Sequence, residues 1–190
     1  MKKLTLLYTL FAICLTLTSC GDDDWGNNNP EMEHVYYYGL GNTQFPGGNE
    51  LVYTLEVGET VAIPTYFFSA YKRSYSPVVK YYTAPVPQKE GQTEPQLVCG
   101  IDYQVVNEKG ELLTPDEQQG YSMIWPNALQ GSQNVYIKAL NGQKGKIRVQ
   151  TYDPEKSIDP TDVSSTTIVK TPEYEVRAFS ENYYVTVVIQ

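Results

Sequence analysis

The chain has 190 residues, with 22 acidic side chains against 14 basic ones and a net charge of −8. That sign excludes nucleic acid as a main partner, since phosphates need Lys and Arg, and it disfavours binding to an anionic bilayer surface. The length suits one domain of about 100–150 residues plus flanking segments, with a core adequate without disulfides.

Lys2 and Lys3 precede an uncharged, mostly apolar run over residues 4–17. This is the layout of a secretory signal, and it is shorter than the roughly 20 apolar residues a membrane-spanning helix needs. Leu17-Thr18-Ser19-Cys20 resembles the lipobox of bacterial lipoproteins. The resemblance implies a signal peptide over residues 1–19 and a diacylglyceryl thioether, usually with an N-acyl chain, on Cys20. Two or three such chains suffice for stable anchoring. An ordinary cysteine after an ordinary signal is the competing reading. Gly21-Asp22-Asp23-Asp24 is similar to the export signal of Bacteroidota surface lipoproteins, which implies an outer-membrane anchor facing the cell exterior. A merely solvated linker has the same composition.

Removing residues 1–19 leaves 12 basic residues against 22 acidic ones, a net charge near −10. On the lipoprotein resemblance Cys14 would leave with the signal and Cys20 would be alkylated, which implies that Cys99 has no intramolecular partner. Beside Gly100 it reads as a small buried hydrophobe, with a reactive or intermolecular thiol as the alternative.

Residues 20–33 are rich in Gly, Asp and Asn and read as a flexible acidic tether reaching roughly 20 Å. Trp25 within it reads as solvated, with insertion at the membrane interface as the alternative. The folded domain is expected over residues 34–190. It opens with a strand at residues 34–38, then a turn-forming run over 39–49. Leu51, Tyr53, Leu55 and Val57 alternate with Val52, Thr54 and Glu56 as one half-buried strand. Gly58-Glu59 suggests a type II′ hairpin returning through residues 60–64, with Val61 and Ile63 inward and Pro64 at an edge or bend.

Strand-like runs follow at residues 66–69 and 78–83, then a long polar loop over 84–98 of a kind that is often functional. Another strand is expected at 101–106. Thr114-Pro115-Asp116-Glu117 has an N-cap, a proline at the first helical position and a carboxylate for a capping box, so one turn of helix should end at Gly120. Asn141-Gly142 between residues 134–140 and 146–152 is the strongest hairpin signal. It puts Val135, Ile137 and Ala139 on one face with Ile147, Val149 and Thr151. An acidic loop spans 152–166. The chain closes with strands at 174–179 and 183–190, where Val176, Ala178, Tyr183, Val185, Val187 and Ile189 face inward.

No helical period runs for a dozen residues, and strands recur between turn signals. The expected fold is all-β, a single antiparallel immunoglobulin-like β-sandwich after the signal peptide and tether. Lys80-Tyr81-Tyr82-Thr83-Ala84 followed by Gly100-Ile101-Asp102-Tyr103 resembles the Calx-beta pattern, related forms of which occur in Bacteroidota surface lipoproteins linked to polysaccharide capture. The family's calcium sites need several converging carboxylates, because the ion takes six to eight oxygen ligands. Only Asp102 falls on a matching position, so the resemblance is taken to imply the fold without a metal or cofactor.

His34 is the only histidine and no Gly-x-Ser-x-Gly elbow is present, which leaves Ser-His, Cys-His and zinc chemistry without residues. His34 reads as a partly exposed strand-edge residue. Asp102, Asp153 and Glu155 read as loop and turn acids rather than a glycosidase pair. No catalytic residue is assigned.

Sixteen of the seventeen tyrosines follow the signal. Tyrosine on a strand gives an apolar ring with a polar tip, suited to stacking on sugars or to protein interfaces, and it is also simply a good strand former. Tyr81 and Tyr82 beside the long loop, and Trp125 beside Pro126, are the candidate ligand-binding residues, with Trp125 also a candidate core anchor. The expected function is a non-enzymatic, surface-anchored module for glycan capture, with a polysaccharide or protein partner. The alternative is an adhesion or fimbrial assembly subunit whose C-terminal strand, residues 183–190, pairs between chains.

Overall fold

The computed structural model describes residues 32–41, 51–88, 91, 95–156, 159, 162–179 and 183–190. The expected signal peptide, Cys20, the acidic run and most of the expected tether lie outside the described residues. So do parts of the expected turn and loops at 42–50, 89–94 and 157–161.

Eleven strands form: β1 Val35–Leu40, β2 Val52–Leu55, β3 Thr60–Phe68, β4 Val78–Pro85, β5 Tyr103–Val106, β6 Tyr121–Ile124, β7 Gly131–Ala139, β8 Gly145–Gln150, β9 Thr167–Lys170, β10 Glu175–Ala178 and β11 Tyr184–Ile189. The only helical pieces among the described residues are short 3₁₀ turns at Met32–His34, Pro126–Ala128 and Val163–Thr166. The fold is therefore all-β and sandwich-like. A first sheet has the order β5-β7-β3-β1-β10-β9 and a second the order β2-β11-β8-β4-β6.

Both sheets are mixed rather than antiparallel throughout, because β1 runs parallel to β10 and β11 parallel to β2. Connectivity explains this. The chain changes sheet at every connection between consecutive strands except β9 to β10, so strands that end up adjacent are distant in sequence and nothing forces them to run opposite ways.

That alternation overturns both expected hairpins. Asn141-Gly142 joins β7 of the first sheet to β8 of the second. Its Asn141 side chain donates to the Ile101 carbonyl at 3.0 Å and to Asp102 Oδ1 at 2.9 Å. Around Gly58, the Glu59 N–H donates to the Glu56 carbonyl at 3.0 Å, so the turn is centred on Val57 and Gly58. Gly58 has φ +81, as the third residue of a type II turn requires, and the turn passes the chain from β2 to β3 across the sandwich. Val57, which the alternation groups with Leu51, Tyr53 and Leu55, is exposed.

Pro64 was expected at an edge or bend and instead lies in β3, between β7 and β1. The Gly41 N–H donates to the Pro64 carbonyl at 2.7 Å. In a strand the N and C=O of one residue point the same way, so the missing donor of Pro64 falls where β1 ends. Residues 114–120 form no helix. The Asp116 carboxylate accepts from the N–H groups of Gln118 and Gly120, both at 2.9 Å, and closes a turn instead. Cys99 is exposed rather than buried, because it sits on the turn that Gly100 makes at φ +86 before β5.

Period-two alternation builds the core. Tyr36, Tyr38 and Leu40 of β1, Ile63 and Phe67 of β3, and Val135, Ile137 and Ala139 of β7 face Val79 of β4, Ile147 and Val149 of β8, and Val185, Val187 and Ile189 of β11. β11 is an interior strand, paired in cis with β8 and β2. Fully burying each of its three inward side chains is worth about 1.5–3 kcal/mol, set against a domain stability of about 5–15 kcal/mol. Deleting Tyr184–Ile189 is expected to abolish the cooperative thermal transition in circular dichroism. A folded monomer after that deletion would show that β11 is dispensable in cis.

Candidate ligand-binding face

The three residues singled out from the sequence, Tyr81, Tyr82 and Trp125, all lie within the packed structure. Trp125 is 2% exposed, stacked on Phe67 with centroids 5.1 Å apart and meeting Tyr38 edge-on at 6.3 Å. Tyr81 is 3% exposed and stacks on Tyr121 at 5.4 Å. Tyr82 points outward from β4 but is 6% exposed. The turn ending at Gly120 covers it so closely that a Cβ there would come within 3.0 Å of its ring. Rings so enclosed have no face to offer a sugar.

Asp102 is likewise structural. Its carboxylate accepts from the Val98 N–H at 2.7 Å and from the Asn141 side chain at 2.9 Å, which ties the entry of β5 to the β7–β8 turn. The two halves of the resemblance motif do meet: the Tyr103 hydroxyl donates to Thr83 Oγ1 at 3.0 Å, and burial is the main cause pushing its pKa up to about 12. His34 precedes an interior strand and not an edge. It is half-buried, and its Nδ1 lies 2.5 Å from the Tyr75 hydroxyl.

The aromatic side chains that reach the surface come from the other parity of the same strands. In β1, Tyr36 and Tyr38 point inward and Tyr37 outward; in β3, Thr65 and Phe67 point inward, Tyr66 and Phe68 outward. The β1–β3 register places Tyr37 opposite Phe68 and Gly39 opposite Tyr66. Just past β10, the Phe179 N–H donates to the Tyr38 carbonyl at 3.1 Å, which holds Phe179 beside the same patch. Its ring stacks on Tyr37 at 5.4 Å and meets Phe68 edge-on at 5.2 Å. Tyr53 of β2 lies near enough to Tyr66 that, after burial, the neighbouring hydroxyl is the second cause raising its pKa.

A polar network flanks these rings. Arg177 pairs with Tyr37 across the β1–β10 register and its Nε donates to Glu175 Oε1. Thr167 Oγ1 donates to the same carboxylate at 2.8 Å, and Lys170 Nζ lies 3.8 Å away. Burial acts to raise the Glu175 pKa, but the hydrogen bonds from Arg177 and Thr167 and the nearby cations outweigh it, and the net shift is downward.

Along β3 and β7 the outward row continues through Pro64 opposite Asn134 and Ala62 opposite Tyr136. From Phe68 to Ala62 this is six residue steps, about 20 Å at roughly 3.3 Å per residue. It ends at an open groove of about 570 Å³ between the turn after β5 and β6, whose walls include Asn107, Glu108, Gln133, Asn134 and Tyr136. Tyr81 borders this groove from within the core. The Asn134 side chain donates to the Tyr136 hydroxyl at 3.3 Å. The first-sheet face thus combines half-exposed rings, side-chain amides and an oriented guanidinium–carboxylate pair. Among the described residues no group of three or more His, Cys, Asp or Glu is placed to hold a metal ion.

Sequence reasoning passed over Tyr37, Tyr66, Phe68 and Phe179. Parity alone carried the signal for the first three, since a strand that buries Tyr36 and Tyr38 must turn Tyr37 outward. No family model matches the chain, and no curated protein matches it.

The depressed Glu175 pKa fixes the sign of a pH effect. Its pairing stabilises the fold above the unfolded carboxylate value, and this is lost as pH falls through the lower folded value. Glu175→Gln is expected to lower the Tm at neutral pH, with the gap to the native chain closing as pH drops below the ordinary value of 4.5. An unchanged Tm at neutral pH would remove this role from Glu175.

Proposed function

We propose that the protein is a non-enzymatic, lipid-anchored binding module that captures glycan chains on the outward face of the first sheet. In this reading Cys20 carries the anchor, the acidic run directs export to the outer surface of a Bacteroidota-type outer membrane, and the domain is an immunoglobulin-like relative of the Calx-beta pattern. The supporting observation is the patch of Tyr37, Phe68, Phe179 and Tyr66 with Arg177 beside it. Pyranose rings present apolar C–H faces and hydroxyl edges, and a half-exposed aromatic patch bordered by a guanidinium and amides meets both.

Binding fits this face better than catalysis. Glu175, the carboxylate beside the rings, is buried and engaged by Arg177, Thr167 and Lys170, which holds it ionised and orients Arg177 rather than leaving a proton to transfer. The row of outward residues leading to the Asn134 and Tyr136 groove gives a polymer a continuous track, where a single sugar would use only one end.

The test is binding of the full-length chain, purified in detergent, to immobilised plant, host and microbial polysaccharides. At least one is expected to be retained saturably. The Tyr37→Ala/Phe179→Ala variant is expected to bind it about tenfold more weakly or worse, roughly 1.4 kcal/mol, with its circular dichroism spectrum unchanged. Retention of no polysaccharide, or equal binding by a folded variant, would overturn the reading.

A further inference from the structure

The second sheet has a surface of different character, centred on β8. Lys146 and Arg148 occupy its outward positions, and Lys144 precedes it in the same parity, so three cations line up about 7 Å apart on one face. Strand pairing identifies what surrounds them. On β11 the outward neighbours are Tyr184, Thr186 and Val188; on β4 they are Tyr82 and Ala84; beyond β11, β2 contributes Val52 and Thr54. None of these is a carboxylate. In a chain with eight more acids than bases, three cations on one side of a strand, with no carboxylate among the described strand partners, set this face apart.

Arg148 is the centre of this face. Its guanidinium carbon lies 4.0 Å from the centroid of the Tyr184 ring, a stacking that fixes the plane of the group. Its Nε is shut away from solvent and has no hydrogen-bond partner. A half-buried guanidinium is normally matched by a carboxylate or a carbonyl, since leaving a desolvated donor unpaired costs free energy. Here the plane is set by Tyr184, while Nε has no acceptor among the described residues. Beside it, Lys144 and Lys146 border a hollow of about 300 Å³ whose other walls include Pro95, Val188 and Ile189.

We infer that the outward face of β8 is a second binding site, one for an acidic polysaccharide, in which Arg148 takes a carboxylate or sulfate of the polymer while Lys144 and Lys146 flank the hollow that receives the adjoining ring. Guanidinium groups grip carboxylates and sulfates through paired N–H donors in one plane. The apolar walls of the hollow and the Tyr184 ring supply surface for the C–H faces of the sugars. An anionic bilayer is the poorer occupant. Membrane-binding basic clusters typically hold about 4–8 Lys and Arg, and a chain of charge −8 is repelled by such a surface as a whole. A narrow polymer reaches the local stripe without bringing the rest of the acidic chain against a charged plane.

This inference does not rest on the aromatic face, and the two are separable by experiment. The full-length chain in detergent is tested at low ionic strength against polygalacturonate, dextran sulfate, neutral dextran and phosphatidylglycerol-containing vesicles. Binding to polygalacturonate or dextran sulfate is expected, weakening with added salt. Which of the two is favoured tells carboxylate from sulfate. Arg148→Gln and Lys144→Gln/Lys146→Gln are each expected to weaken it about tenfold or more, as loss of a charge partner in a docked complex does. Arg148→Lys keeps the charge without the planar fork and is expected to recover only part of the loss, which separates recognition from general attraction. Tyr37→Ala/Phe179→Ala is expected to leave polyanion binding unchanged. No binding to either polyanion, binding indifferent to the β8 variants, or binding to vesicles alone would overturn the proposal.

Discussion

The flat contact of Trp125 on Phe67, with Tyr36 and Tyr38 packed alongside, is the interaction on which both surfaces depend. These rings come from β1 and β3 of the first sheet and from the segment that follows β6 of the second, so their packing ties the two sheets together at this point. Fully burying a large apolar side chain is worth about 1.5–3 kcal/mol, and slipping β1 by one residue would turn Tyr36 and Tyr38 outward together. That penalty fixes the parity of β1 and, through the pairing of Tyr37 with Phe68 and Arg177, the arrangement of everything on the outward face. The proposed glycan platform is the other side of the same constraint.

Electrostatics divides the two faces. On the first sheet the Arg177 charge is taken up by Glu175, and the pair acts as an oriented dipole beside neutral rings. On the second sheet the guanidinium of Arg148 lies over the ring of Tyr184, whose quadrupole attracts a cation without neutralising it. Net charge conceals this difference. A chain of −8 reads as uniformly unsuited to anions, yet strand alternation places Lys144, Lys146 and Arg148 on one side of one strand, with no carboxylate among the strand partners described on that side.

How much of this was legible in the sequence follows from what period-two alternation encodes. It identifies a strand and its buried parity, so the inward sets Val135-Ile137-Ala139, Ile147-Val149 and Val185-Val187-Ile189 were readable residue by residue. It does not say which sheet a strand joins. Asn141-Gly142 and Gly58-Glu59 carry the residues of hairpin turns, but the inward sets on either side face each other across the core instead of lying side by side. Mixed sheets follow from that crossing. Pro64 misled because a missing donor argues against an interior strand only when the neighbouring strand extends that far, and β1 stops at its position. The helix expected over residues 114–120 lost to the Asp116 side chain, which satisfies two backbone N–H groups locally. Tyr81, Tyr82 and Trp125 were chosen for nearness to a loop and a proline, which is a weaker guide to exposure than parity. Even parity would have misplaced Tyr82, whose outward ring is covered by a turn distant in sequence.

A sandwich of this kind separates the requirements of folding from those of recognition. Inward positions are held by packing and tolerate little change, whereas each outward position can vary without disturbing the register beneath it. Two sheets packed about 10 Å apart therefore present two independent surfaces from one core, and their chemistries respond to different conditions. Ring stacking is nearly indifferent to ionic strength, while attraction to exposed cations is screened within about 8–10 Å in physiological salt. The aromatic face would hold a neutral chain over a broad range of salt, and the β8 face would hold an acidic one only where counterions are few or where the guanidinium makes direct contact. The guanidinium matters most for that reason: a hydrogen-bonded contact survives screening that erases attraction at a distance, so Arg148, more than the lysines beside it, decides whether the second face retains its ligand.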